Sequence, residues 1–271
     1  MVRGRLTGMK KVLVQAAVVS HKGNTRKNNE DNFCLDGIRM RRQRMDEGAF
    51  IKRTRRRNVQ LYAVCDGMGG TEGGETASSC AVTRLSRQKS FFRLLAQKEQ
   101  LAAALTELSH AVCREGEKTG QKTGTTIALA LLISGKLYAA NIGDSRIYRL
   151  REGRFEQIST DHSRVARMVS LGLLTKEQAQ KDPERHLITQ YLGMPPEHPV
   201  SPYLREPEEL MQGDMYLLCS DGLTDMVEEE EIGKILKAGA DAGTCAAALL
   251  KAALENGGRD NITAMVLRVL A

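Results

Sequence analysis

Three aspartates stand at the ends of apolar runs that are far apart in the chain. Leu61 to Cys65 ends on Asp66, Met215 to Cys219 ends on Ser220-Asp221-Gly222, and Arg259-Asp260-Asn261 opens the run Ile262 to Val269. Each run reads as a buried strand, so each sets a carboxylate where a strand meets a turn. Asp31 stands near a fourth run, in the polar turn SHKGNTRKNNEDNF that follows Val12 to Ser20. A single Asp-Gly is an ordinary turn; it is the repetition that points to chemistry. If the strands converge, two like charges about 4 Å apart cost on the order of 4 kcal/mol at an effective dielectric of 20. A cation must offset that, and oxygen ligands without a His or Cys cluster suit Mg²⁺ or Mn²⁺ better than zinc. The four carboxylates match two divalent ions in charge, leaving Arg26 free to hold a dianion through its planar guanidinium. Such an ion pair lowers the pKa of a bound water and steadies both oxygens of an in-line displacement. The chemistry indicated is that of a two-metal hydrolase acting on phosphate. No nucleophilic side chain is then needed, and no Gly-x-Ser-x-Gly elbow is present. The glycine-rich stretch after Asp66 lacks the Lys-Ser/Thr ending of a nucleotide loop.

Around these residues the pattern predicts the elements that must hold them. Gly67, Gly69, Gly70, Gly73 and Gly74 loosen the backbone after Asp66, and a helix is expected from about Gly74 to Arg87. A second helix carries Leu101, Leu105, Leu108 and Val112 on one face, read as core. Thr125 to Ile133, Leu137 to Ile142 and Arg146 to Leu150 suggest an antiparallel meander with Asp144 in its second turn. From Ser159 to about Pro207 short helical pieces, Arg164 to Ser170 and Thr175 to Gln180, sit in a stretch that holds every proline of the chain. That stretch reads as a lid or flap. His162 and His186 lie in it, and each reads as a surface or packing residue because neither has a partner at metal spacing. Asp225 shares a face with Asp221 if Leu223 to Val227 is helical. Helices follow over Glu228 to Ala238 and Gly243 to Leu254, the second stopped by Gly257 and Gly258.

A chain of 271 residues with 41% hydrophobic content fits one large domain better than two. Its six cysteines include no Cys-x-x-Cys pair and read as small core side chains in a reducing compartment. No apolar run approaches the roughly 18 residues of a membrane helix, and Val12 to Val19 imitates a signal peptide only faintly because it contains Gln15. The expectation is a cytoplasmic, monomeric protein, starting at Met1 or Met9. Between Arg39 and Arg57 nine basic residues face two acids, an excess equal to the whole net charge of +7. Such a run is commonly a solvated loop or hairpin; docking of an acidic protein, or less often of nucleic acid, is the alternative. No aromatic residue beyond Phe50 interleaves with the arginines, which weakens the nucleic-acid reading.

The blocks SHKGNTRKNNEDNF, VCDGMGGTEGGETAS, GTTIALALLISGKLYAANIGDSRIYRL, DHSRVARMVSLGLLT, HLITQYLG, LLCSDGLTDMV and GGRDNITAMVL occur in that order over Ala17 to Val269. In residues and order they resemble the metal-dependent type 2C serine/threonine protein phosphatases in their bacterial form. The resemblance implies an α+β fold: a four-layer αββα sandwich of two antiparallel β-sheets flanked by helices, with a flap subdomain over about 159–200. Residues 1–271 would be a single phosphatase domain. By motif, Asp66 would bridge two Mn²⁺ or Mg²⁺ ions, the Gly67 carbonyl would bind one of them, and Asp221 and Asp260 the other. Glu30 and Asp31 would act through metal-bound waters, Arg26 would take the substrate phosphate, and Asp144 and Asp225 would bind a third, weaker ion. Phosphorylated proteins would be the substrates and a bacterial Ser/Thr kinase the opposing enzyme. His21 stands where an Asp is common and Thr71 where a His often follows the glycines; neither is a ligand position. Met68 is usual for the bacterial form and leaves a water as proton donor to the leaving alkoxide. The basic insert 39–57 matches no family motif. Two other readings remain beside this one: a regulatory phosphatase acting on an anti-sigma antagonist, and a pseudo-phosphatase that binds phosphoprotein without turnover.

Overall fold

Strands covered on both faces need apolar side chains of both parities, and that is how Leu61 to Cys65, Ile127 to Ile133, Met215 to Cys219 and Ile262 to Leu267 are composed. The computed structural model describes residues 10–69, 73–87, 98–120 and 123–271. Gly70, Thr71 and the alternative starts Met1 and Met9 lie outside them. In chain order the elements are β1 (Val12–His21), β2 (Asn32–Leu35), a 3-10 turn (Arg42–Glu47), β3 (Ala49–Arg57), β4 (Val59–Cys65), β5 (Gly67–Met68), α1 (Gly73–Arg87), α2 (Lys98–Thr119) and β6 (Gly124–Thr125). Then come β7 (Ile127–Ile133), β8 (Lys136–Ile142), β9 (Arg146–Arg151), β10 (Arg154–Gln157), α3 (Arg164–Ser170), α4 (Lys176–Lys181), β11 (Tyr203–Leu204) and β12 (Glu208–Glu209). The last are β13 (Met215–Cys219), α5 (Asp221–Thr224), α6 (Glu229–Ala238), α7 (Ala242–Glu255) and β14 (Ile262–Val269).

One antiparallel sheet has the order β10-β9-β13-β14-β1-β3, the other β11-β8-β7-β4-β2 with β12 also on β8. Alternation along the strands sorts the core into layers. Tyr62 and Val64 of β4 meet Met265 and Leu267 of β14 between the sheets. Leu61, Ala63 and Cys65 turn outward onto Ala77, Ala81 and Leu85 of α1 and Leu105 of α2. On the far side Ala264 and Val266 pack with Leu236 of α6 and Leu249 of α7. The result is the helix, sheet, sheet, helix order that the resemblance implied. All six cysteines remain thiols, four of them buried, and no described helix is long and apolar enough to cross a membrane.

Two expectations are corrected. The three strands after Thr125 are not one meander: β7 and β8 pair with each other, but β9 pairs with β13 and β10 in the opposite sheet. The turn at Gly143, with φ +98°, carries the chain across, and a Cβ there would press on Thr126. The basic insert is not a hairpin, and only its first half, with the 3-10 turn Arg42–Glu47, lies outside the sheets. Its second half is β3, paired to β1 over nine residues from Val12↔Arg57 to Ser20↔Ala49.

The pairing fixes where the acids go. β1 meets β14 at His21↔Ile262, and β13 meets β14 at Cys219↔Ala264, so the ends of β1 and β13 lie beside the start of β14. In the second sheet β2 and β4 pair at Asn32↔Cys65. Asp31 and Asp66 therefore leave the same end of the sandwich as neighbours.

Candidate metal centre

A cleft of about 910 Å³ opens at that end, with Arg26, Glu30, Asp66, Asp144, Asp221, Asp225 and Asp260 all in its wall. Each is held by its own backbone environment. The Asp66 carbonyl accepts from the Thr126 N–H at 2.9 Å and the Thr125 hydroxyl at 2.8 Å, and its N–H donates to Thr126 Oγ1 at 3.0 Å. Gly67 passes so close to the Gly74 carbonyl that any Cβ would collide with it, which lets α1 begin directly behind the site. Ser220 follows β13 and Asp221 begins α5; the Asp225 N–H donates to the Asp221 carbonyl at 2.8 Å, setting both carboxylates on one face of a single turn.

Asp31 is fully buried. Its Oδ2 accepts from Ser220 Oγ at 2.7 Å, while its Oδ1, like Oδ1 of buried Asp144, has no hydrogen-bond partner among the described residues. The Asp66 and Asp221 carboxyls lie within hydrogen-bond reach of each other, an arrangement that requires a shared proton or a cation. Desolvation first, and the neighbouring acids second, push Asp66 and Asp144 well above the usual carboxylate range. Desolvation lifts Asp31 to about 7 even against its Ser220 bond, and lifts Asp221, further raised by Asp225 and Asp260, to about 6. Burial also raises Glu30, opposed by its bond from Asn28. A set of crowded oxygen donors that hold protons only for want of another positive charge, with two buried oxygens unpartnered, suits a hard divalent cation, which would displace those protons on binding. In chemistry the residues present fit such ions, and among the described residues the donor atoms that lie within 4.8 Å of one another are those of His186, Asp221 and Asp225, with Asp66 and Asp260 in the same cleft wall but outside that group.

Arg26 differs from expectation. Its Nη2 donates to Asp260 Oδ2 at 2.6 Å, so the guanidinium is tied to one of the expected ligands rather than standing free. Both side chains sit on the rim, where a pair that is half in solvent is weakly bound and exchangeable. His186 differs as well. The stretch after α4 brings its Nδ1 to 3.6 Å from Asp225 Oδ2 and 3.9 Å from Asp221 Oδ2, inside the acidic cluster rather than on a bland surface. His162 is a packing residue as expected: its Nδ1 accepts from the Gly143 N–H at 3.1 Å, and burial lowers its pKa.

The residues missed by sequence reading are the uncharged ones that hold the acids. Asn261 accepts from the Glu30 N–H at 2.7 Å and donates to the carbonyls of Lys22 at 3.0 Å and Asn28 at 2.9 Å, fastening the Arg26 turn to the start of β14. Asn29 donates to Ser20 Oγ at 3.0 Å and accepts from the Asp31 N–H at 3.1 Å. Its own N–H donates to Asp46 of the basic insert at 2.6 Å. The signal available for them was the Asn-rich turn composition.

This fold, with acids gathered at one end of a double sheet, defines a metal-dependent phosphatase class, and the comparisons agree. The family model "Protein phosphatase 2C" matches residues 41–255. The chain belongs to the protein phosphatase 2C family. It is similar to the serine/threonine phosphatase Stp of Listeria monocytogenes, 31% identical over 241 residues that cover 87% of this chain and 94% of that protein. Among solved structures it resembles the Mycobacterium tuberculosis serine/threonine phosphatase PstP, with TM-score 0.80 and 32% identity over 96% of this chain and 100% of that one. A PstP catalytic domain in complex with two manganese ions matches with TM-score 0.76 and 32% identity, over 96% of this chain and 100% of that one.

Proposed function

We propose that the chain is a protein serine/threonine phosphatase that hydrolyses phosphoserine and phosphothreonine at a binuclear Mn²⁺ or Mg²⁺ centre. Two ions would be held by Asp66, the Gly67 carbonyl, Asp221 and Asp260, with Glu30 and Asp31 acting through water, and a third, weaker ion by Asp144 and Asp225. Such ions supply a water made nucleophilic near neutral pH and neutralise the charge on the phosphoryl oxygens. The protein's own part is to orient. Arg26 exchanges its rim contact with Asp260 for the substrate phosphate, which its planar fork fits through two parallel bonds. Asp31 is aimed by Ser220, and Asp66 is aimed by Thr125 and Thr126. Met68 lines the cleft without a titratable group, so the proton for the leaving alkoxide would come from water rather than from that position.

The convergence of Asp66, Asp144, Asp221, Asp225 and Asp260 on one cleft, beside the unpartnered Oδ1 atoms of Asp31 and Asp144, is the observation that carries this reading. The chain would act in the cytoplasm as a single-domain monomer, with residues 159–200 as a flap over the cleft, and would oppose a bacterial Ser/Thr kinase. The test is phosphate release from a phosphothreonine peptide. Release in Mn²⁺ that stops in EDTA and returns with excess Mn²⁺ is expected; binding of the peptide with no release would make the chain a pseudo-phosphatase.

A further inference from the structure

The basic insert takes no part in the phosphate chemistry, yet it builds a nine-residue strand. In β3 six consecutive residues, Lys52 to Arg57, are exposed. A strand that buries so little of itself gains little from the core. Some of the charge is matched: Lys52 reaches Asp241 at 2.9 Å, and Arg57 lies 3.5 Å from Asp36. Among the described residues no carboxylate lies within ion-pair distance of Arg53, Arg55 or Arg56. A single charge would be enough to stop unwanted edge pairing; a run of this density is an attractive field for an acidic partner.

The backbone adds a second feature. β3 is the last strand of its sheet, so no described strand pairs with its outer edge, where a strand presents N–H and C=O groups; within β3 the Lys52 carbonyl accepts from Arg53 Nη1 at 2.8 Å. Residues two apart on a strand point the same way about 6.8 Å apart. Arg53, Arg55 and Arg57 share the side of Ile51, which packs toward the core between the sheets, while Lys52 and Phe50 lie on the side of α7. At the start of β3 a mostly apolar notch of about 320 Å³ is lined by Phe50, Ala247, Leu250 and Leu254 among others, with Lys251 and Glu255 as its charged members, and Phe50 is 59% exposed there. Because β3 runs antiparallel to β1, that notch lies toward the cleft end of the sandwich and the arginines lead away from it.

We infer that β3 is a docking edge for an extended acidic segment of a partner protein, added as a further strand with carboxylates at alternate positions against the arginines and an apolar anchor in the Phe50 notch. Strand addition supplies main-chain hydrogen bonds, and the alternating acids set register and selectivity. A nucleic acid would meet the same charge but has no use for the open backbone edge or for the notch.

The test is fluorescence anisotropy of a labelled peptide of about ten residues, with Glu at alternate positions and Phe at one end, measured in EDTA so that it does not depend on the metal centre. The full chain is compared with an Arg53→Glu/Arg55→Glu/Arg56→Glu variant and with Phe50→Ala. Salt-sensitive binding that falls about tenfold or more in the triple variant, and less in Phe50→Ala, is expected. Thermal unfolding and Mn²⁺-dependent hydrolysis of para-nitrophenyl phosphate should be unchanged in the triple variant, since these side chains are remote from the cleft. Equal binding by the full chain and the triple variant overturns the inference, as does tighter binding of a DNA duplex of similar charge than of the peptide. Either result leaves the phosphatase reading intact.

Discussion

Replacing Asp66 by Asn should move stability and activity in opposite directions. In the metal-free protein the Asp66 carboxyl lies within hydrogen-bond reach of Asp221 and feels Asp31, Asp144 and Asp260 as well. Two ionised carboxylates about 4 Å apart repel by on the order of 4 kcal/mol at an effective dielectric of 20. A proton shared between Asp66 and Asp221 removes that repulsion but must be held against the solution at pH 8, so on the order of 2 kcal/mol of the penalty stays with the wild type and is recovered by an uncharged amide that can still donate to Asp221. For a domain of this size about 1 kcal/mol corresponds to about 2–4 °C in melting temperature. Asp66→Asn should therefore melt about 4–8 °C above the wild type in EDTA at pH 8. In Mn²⁺ the order reverses: a ligand present at about 100 times its Kd adds about 2.7 kcal/mol to the wild type, and the variant, lacking the bridging carboxylate, gains little. Differential scanning fluorimetry in EDTA and in Mn²⁺, beside phosphate release from a phosphothreonine peptide, reads all three quantities. A variant that melts below the wild type in EDTA, or that keeps Mn²⁺-dependent turnover, would refute the electrostatic reasoning.

Four further outcomes follow from the same geometry. Asp31 and Asp221 hold protons in the native state up to about pH 7 and about pH 6 that the unfolded chain has released by about pH 4. Metal-free stability therefore falls as pH rises through that window, by on the order of 3 kcal/mol for Asp221 alone, and melts at pH 5 and pH 8 with and without Mn²⁺ should show the loss only without metal. Ser220→Ala removes the donor to Asp31 and the acceptor of the Thr263 N–H, bonds of 2.7 and 2.9 Å. It should cost about 1–3 kcal/mol in urea unfolding and weaken Mn²⁺ binding in a calorimetric titration. Arg26→Ala should lower kcat/KM for a phosphopeptide by about 10- to 150-fold, the range of one charge-assisted hydrogen bond of about 1.5–3 kcal/mol, without altering Mn²⁺ stoichiometry. Gly222→Ala would drive a methyl into the Asn261 carbonyl, and a loss of about 1–3 kcal/mol in the same urea assay is expected for overpacking.

What the sequence disclosed was decided by period and by position. Strands with apolar residues of both parities, such as β4 and β14, declared a sheet covered on both faces, and the aspartates at their ends declared the cleft. The helix face of Leu101, Leu105, Leu108 and Val112 is buried in the structure as its spacing predicted. Less visible was anything that depends on which strands pair. β9 reads like the neighbour of β8, and only the crossing at Gly143 sends it to the other sheet. The arginines of β3 have no apolar alternation beyond Ile51, so their strand exists through backbone pairing with β1, which composition does not report. His186 looked isolated because its partners, Asp221 and Asp225, are 35 and 39 positions away in the chain. Asn29, Ser220 and Asn261 were hidden for a similar reason: an uncharged side chain in a turn is commonplace, and its value appears only when the carboxylate it holds is in place.

The most direct test of a binuclear centre is anomalous diffraction at the manganese edge from crystals of this chain grown with Mn²⁺. Two strong peaks sharing the Asp66 carboxylate, one of them also bound by Asp221 and Asp260, are predicted. Crystals that hold Mn²⁺ away from Asp66, or bind none at the end of the sandwich where these acids meet, would contradict the account.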